Sequence, residues 1–250
     1  MNRKIGIVLS GGAVRAFAHI GVLKALEEKG IVPDFVSGTS AGAIVGAFYC
    51  AGYSPDELYN IANNIDFLSH IRPNIFPKKS LFKIVNFEKT LKRFIKADNI
   101  QDLEKPLFVG VSNISDGTVE YWDRGNISSV LTASSSLPFF FEPVEIDGKL
   151  YVDGGLMNNL PVEPLIDKCD YIIGVEVNPF WKERNLNNII SITIRSFYLA
   201  VRSNIEVRKK YCSLFIQPEN LSKIGLFELW KWKEAVEIGY RCTKEIQFKV

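Results

Sequence analysis

Asp34-Phe35-Val36-Ser37-Gly38-Thr39-Ser40-Ala41-Gly42-Ala43 is the stretch that decides how this chain folds. A short apolar run ends on Gly38, and Ala41 to Ala51 follows with the pattern of a helix. A strand that turns at once into a helix around a serine is the setting of a nucleophile elbow. The sharp turn projects the hydroxyl above the sheet edge. Gly38 and Gly42 flank Ser40 because so tight a turn leaves no room for Cβ atoms beside strand and helix. A Gly-x-Ser-x-Gly run arises often by chance; its place between strand and helix is what gives it weight.

Outward from this turn, short apolar runs alternate with longer helical ones. Residues 5–9 form a continuous apolar run and predict a buried strand, and Ala16 to Glu28 predicts a helix that Gly30 stops. Ser54-Pro55-Asp56-Glu57 starts another helix with a cap and a first-turn proline. Further strands are expected at Leu107–Ser112, Lys149–Val152, Tyr171–Val177, Ile189–Ile194 and Ser213–Ile216. The rhythm is that of a three-layer α/β/α fold with a mostly parallel central sheet. Without repeats or a proline-rich linker, residues 1–250 are expected to form one domain.

Bulk properties narrow the function. A net charge of +2 is too small to point to nucleic acid. The four cysteines form no CxxC pair, and two histidines make a zinc site hard to assemble. The apolar run near the N-terminus breaks at Gly11-Gly12, short of a signal-peptide core, and no stretch of about 18 apolar residues occurs. A cytoplasmic protein, peripheral to a membrane at most, is expected.

Two segments stand apart. Residues 66–105 lack a clean period. Within 72–96, eight basic residues face one acid, Glu88, with Phe76, Phe82, Phe87 and Phe94 interleaved. This reads either as a solvated helical excursion with its phenylalanines inward, or as a lid that meets anionic lipid. The stretch from about 226 to 248 places Leu226, Leu229, Trp232, Val236 and Tyr240 on one helical face, for docking or for membrane contact.

Ser10-Gly11-Gly12-Ala13-Val14-Arg15 also joins a strand to a helix. Backbone N–H groups of such a loop form an anion hole. Neither a G-x-G-x-x-G nor a P-loop pattern is met, so beside an elbow it reads as an oxyanion hole, with Arg15 orienting the loop or the anion. No histidine follows residue 70, so the order serine, acid, histidine is not available. His19 reads as a packed or capping residue and His70 as a surface residue. Tyr151-Val152-Asp153-Gly154-Gly155 offers another partner, a carboxylate set on a glycine turn.

These motifs in this order resemble bacterial patatin-like phospholipases. The resemblance also takes in Ala18 to Leu23, Ala133-Ser134, Pro138, Pro143 and Asn158-Asn159-Leu160-Pro161, and covers roughly residues 5–55 and 107–178. It implies hydrolysis of fatty-acyl esters of lipids, with Ser40 as nucleophile, Asp153 as base and Gly11, Gly12 and Ala13 as the oxyanion loop. Neither metal nor cofactor is implied. Two departures stand out: Ala13 occupies the loop's third glycine position, and Ala16 follows Arg15 where the family usually has glycine. If position 16 needs φ > 0, alanine there is strained. Phe139 to Phe141 are expected to wall an acyl pocket and to raise the Asp153 pKa by burial. The alternatives are a nucleotide-binding α/β protein, for which no fingerprint appears, and a non-catalytic adaptor that keeps the fold.

Overall fold

The computed structural model describes residues 3–75, 79–182 and 186–247. Phe76 and the residue at 248, named above, lie outside the described residues. The strands are β1 (Ile5–Leu9), β2 (Phe35–Thr39), β3 (Ile71–Pro73), β4 (Phe82–Ile84), β5 (Leu107–Asn113), β6 (Thr118–Trp122), β7 (Val144–Ile146), β8 (Lys149–Asp153), β9 (Tyr171–Val175) and β10 (Leu214–Ile216). The α-helices are α1 (Ala18–Glu27), α2 (Ala41–Cys50), α3 (Pro55–Asn63), α4 (Phe87–Phe94), α5 (Ile127–Ser134), α6 (Ile189–Glu206) and α7 (Trp232–Lys244).

The main sheet is eight-stranded, running β10-β9-β1-β2-β5-β8-β7, with β6 also on β5. From β10 to β5 every pairing is parallel; β6, β7 and β8 join antiparallel. The strands alternate between two cores. Ile7, Leu9, Val109, Val111, Ile173 and Val175 pack on one face, while Val8, Phe108 and Ile172 pack on the other with Val201 and Ile205 of α6. A sheet buried on both sides explains the near-continuous apolar runs of β1 and β9.

The register of β5 brings distant segments together. β2 runs alongside it to the pair Thr39↔Gly110, and β6 occupies the opposite edge from Val109 to Asn113. β8 therefore shares the edge of β2, arriving from the other direction and ending at the pair Asp153↔Val111. The two strands meet nearly end to end against consecutive residues of β5. The approach is tight: a Cβ on Gly154 would stand 2.2 Å from the Gly110 carbonyl oxygen.

Two expectations fail here. Ile189–Ile194 is the start of a helix, not a strand. Asn188 accepts the Ser191 N–H at 2.9 Å in a capping box, and Phe197, Val201 and Ile205 continue the inward side at helical spacing. Cap and length override the β-branched composition. The C-terminal helix begins at Trp232 rather than 226. It lies against α1 with backbone nearly touching backbone: a Cβ on Gly21 would stand 2.0 Å from Val236 O, and one on Gly239 2.2 Å from Ala18 O. Among the described residues, no helix is long and apolar enough to cross a membrane.

Candidate active site

Ser40 stands between β2 and α2 at φ 54°, ψ −132°, a backbone region serine rarely adopts. Three contacts hold it there. Its N–H donates to Ser134 Oγ at 2.9 Å, the Ser134 hydroxyl donates to Gly110 O at 2.7 Å, and its carbonyl accepts the Ile44 N–H at 3.1 Å. Gly42 has no alternative residue, since a Cβ there would stand 2.4 Å from the carbonyl oxygens of Leu9 and Ser10. Gly38 is similarly crowded, by Ala43 at 2.9 Å.

Asp153, at the end of β8, is buried. Its Oδ1 accepts the Gly155 N–H at 2.8 Å, and the Ser40 side chain lies close enough to its carboxylate to lower its pKa. Burial outweighs both effects and pushes the pKa up to about 6. A carboxylate so placed accepts a serine proton more readily than one at the ordinary value near 4.

The loop after β1 crosses in front of this pair; a Cβ on Gly11 would stand 2.9 Å from Ser40 Cβ. Its three N–H groups are not equivalent. Gly11 N–H donates to Asn159 Oδ1 at 3.1 Å, while the Gly11 carbonyl accepts from Asn159 Nδ2 at 3.2 Å and Asn178 Nδ2 at 2.6 Å. Gly12 and Ala13 have no backbone N–H acceptor among the described residues. The strained position in the loop is Ala13, at φ 48°. Ala16 lies in a 3-10 turn with negative φ, so the strain expected at position 16 is absent.

Arg15 does not reach the cavity. Its guanidinium is buried over the Trp181 ring, and Nε donates to Ile224 O at 2.7 Å. Its backbone N–H donates to Gly12 O at 3.0 Å, so it braces the loop. His19 is buried with Nε2 2.8 Å from Ser10 O, and burial pulls its pKa down to about 4. It is therefore a neutral donor fixing the exit of β1. His70 is not the surface residue expected. It is half-buried in the cavity wall, with Nδ1 2.9 Å from Asp66 O and Nε2 2.6 Å from Thr90 Oγ1.

Sequence reasoning left Glu176, Asn178 and Asn204 without a role. Glu176 Oε1 accepts the Asn178 N–H at 2.6 Å, which orients the Asn178 side chain toward Gly11. Asn204 of α6 accepts the Asn159 N–H at 3.0 Å and donates to Gly155 O at 3.2 Å. Only a fold shows such partners. The Asp147-Gly148 turn was legible as a hairpin signal, and it returns the chain from β7 into β8.

Ser40, Asp153, Gly11, Gly12 and Ala13 open on one cavity of about 470 Å³, within the usual range of small-molecule sites. Its walls are almost wholly apolar. Ile44 and Phe48 of α2, Leu58 of α3, Phe139 to Phe141 and Phe197 of α6 contribute. The 66–105 segment supplies another wall through Ile71, Ile84 and Phe87. Arg72 and Lys83 stand exposed on the outer side of the β3–β4 hairpin. The hairpin is tied to the phenylalanine run by Leu81 N–H to Phe139 O at 3.0 Å and Phe82 N–H to Phe140 O at 2.8 Å.

Residues 7–166 match the profile of the family described as patatin-like phospholipase. Over 98% of its length the chain is 27% identical to Lysophospholipase NTE1 of Meyerozyma guilliermondii, of which it covers 19%. It is 26% identical over its full length to Lysophospholipase nte1 of Aspergillus fumigatus, of which it covers 18%. The chain thus spans about a fifth of the length of the curated relatives it matches. Both relatives are fungal and do not support the bacterial part of the resemblance. Among solved structures it is similar to VipD from Legionella pneumophila, with a TM-score of 0.56 and 16% identity over 97% of this chain and 66% of that one. At that identity the likeness concerns the fold.

Proposed function

Because the chain belongs to the patatin-like phospholipase family, we propose that it is a serine hydrolase of fatty-acyl lipid esters, lysophospholipids among them, working through Ser40 and Asp153. One observation carries this reading: a buried carboxylate, raised toward neutrality, stands beside a serine on a strained turn at the wall of an apolar cavity. The chain is taken as one catalytic domain in which 66–105 serves as a lid. It acts in the cytoplasm, in peripheral contact with lipid.

The acyl chain lies in the cavity and the ester carbonyl faces Ser40. Asp153 takes the Ser40 proton as Oγ attacks the carbonyl carbon, and the oxyanion receives the N–H groups of Gly12 and Ala13. The protonated Asp153 returns its proton to the leaving alcohol as the C–O bond breaks. Water, deprotonated by the same carboxylate, then releases the fatty acid from Ser40. The Gly11 N–H, already given to Asn159, holds the loop in shape.

A fluorophosphonate probe tests the reading together with a lysophospholipid and monoacylglycerol panel. Wild-type protein is expected to be labelled at Ser40 and to release fatty acid, and Ser40→Ala to do neither. An unlabelled, inactive but folded wild type would favour the adaptor.

A further inference from the structure

The apolar character of the cavity continues outside it. α6 lines the cavity with Thr193, Ile194, Phe197, Tyr198 and Val201, yet it also carries Ile189, Ile192 and Leu199 in solvent, Ile189 at 73% exposure. From Ile189 to Val201 the single charged residue is Arg195, and its guanidinium lies over the rings of Phe180, Trp181 and Tyr198. A helix side turned to water ordinarily carries Lys and Glu.

The rest of the mouth is alike. Phe139 and Phe227 line the cavity and are themselves exposed. Trp230, one residue beyond the lining Leu229, is 75% exposed. Ile75 is 85% exposed beside Asn74, whose N–H donates to Leu81 O, and Leu81 N–H in turn donates to Phe139 O. Single exposed apolar side chains are ordinary; a set of them around one opening is not.

The accompanying charge is basic. The segment 71–84 holds Arg72, Lys78, Lys79 and Lys83 and no acid. The acids nearby are engaged: Glu142 with Asn74 at 3.1 Å and Lys83 at 3.7 Å, Glu228 with Lys231 at 2.9 Å. Among the described residues, Arg72, Lys79 and Lys182 remain in excess.

We propose that this rim seats the protein on an anionic lipid bilayer. Ile189, Ile192 and Trp230 enter the boundary between headgroups and acyl chains, and Arg72, Lys79 and Lys182 face the headgroups. The cavity mouth then opens onto lipid, so an acyl chain passes from bilayer to cavity without crossing water. The inference rests on reading the cavity as the acyl site, and it adds the surface, the residues and the sign of the lipid charge.

The test uses full-length Ser40→Ala protein, which leaves lipid intact, and vesicles of phosphatidylcholine with phosphatidylglycerol. Sedimentation is expected to show binding that falls about tenfold in Ile189→Ser/Ile192→Ser/Trp230→Ser, since three apolar side chains then leave the interface. Brominated lipid is expected to quench Trp230, read as the difference from Trp230→Phe. With Ser40 intact, the triple variant is expected to lose vesicle hydrolysis while keeping that of a monomeric short-chain ester. Undiminished vesicle binding by the folded triple variant, or no quenching of Trp230, overturns the proposal. So does a wild-type dimer that the triple variant converts to monomer, which would make the rim an interface between copies. Vesicle binding that depends on the rim, in a wild type inactive on every ester, would sink the hydrolase reading and leave the docking surface standing.

Discussion

Asn159 grips both sides of the Gly11 peptide, accepting its N–H at 3.1 Å and donating to its carbonyl at 3.2 Å. One side chain thereby sets the plane of the loop that faces Ser40, and Asn178 adds a second donor to the same carbonyl at 2.6 Å. Asn159→Asp loses the donor and sets a carboxylate oxygen against Gly11 O. Its kcat is expected to fall about 100-fold with KM nearly unchanged, as when one oxyanion donor is lost. A KM effect alone would show that the clamp serves substrate binding.

Ser40→Ala and Asp153→Asn are each expected to remove nearly all activity, and the double variant to be little worse than either. A Ser40→Ala protein retaining more than about a tenth of the rate would contradict the dyad.

As the proposed base, Asp153 is expected to set the pH dependence. Its carboxylate must be ionised to act, so kcat/KM is expected to fall as pH drops through about 6, and the same limb should appear in His19→Gln and His70→Gln. Stability moves the opposite way. Raised from 3.8 to about 6, the folded carboxyl keeps its proton to higher pH than the unfolded one. The resulting penalty is absent below about pH 4, grows between 4 and 6 and is complete above, of the order of 3 kcal/mol. Asp153→Asn is therefore expected to melt several degrees higher than wild type at pH 7 and together with it below pH 4. Equal melting at pH 7 would show an unperturbed Asp153.

The two loop alanines are expected to behave oppositely. Ala13 at φ 48° is strained by about 1–2 kcal/mol, against roughly 0.4–1 kcal/mol of unfolded-state entropy for glycine. Ala13→Gly should be neutral or slightly stabilising in urea titration. Ala16→Gly should destabilise by about 1 kcal/mol, since Ala16 is buried in a 3-10 turn of ordinary geometry. Equal destabilisation by both would remove strain from the account of this loop.

Chain length is expected to govern turnover. Each methylene entering the cavity contributes up to about 0.8 kcal/mol, so kcat/KM should rise at least tenfold from acetyl to octanoyl esters. Acetyl esters cleaved as efficiently as octanoyl esters would separate the cavity from the acyl site.

The elbow, the Gly11-Gly12 loop and the Asp153 turn were legible because each puts its key residue on a glycine turn between recognisable elements. What stayed hidden depends on long-range register. Nothing local in 149–153 says that β8 will meet β2 on one edge of β5, and Asn178 acquires its role only beside Gly11, 167 residues away. Ile189–Ile194 misled because its β-branched composition outweighed the Asn188 cap. His70 misled because a position in an aperiodic segment gave no sign that the segment folds back over the cavity.

The close approach of Gly21 to Val236 and of Gly239 to Ala18 has a consequence in time. α1 begins just past the Gly11-Gly12-Ala13 loop, yet the helix it packs against comes some two hundred residues later. During synthesis that interval lasts roughly 10–40 s, through which α1 leaves the ribosome without its partner. The loop that faces Ser40 is thus made well before the helix that packs against α1. Exposed until Trp232–Lys244 emerges, the side of α1 around Gly21 is where a chaperone would find this chain while it is still being made.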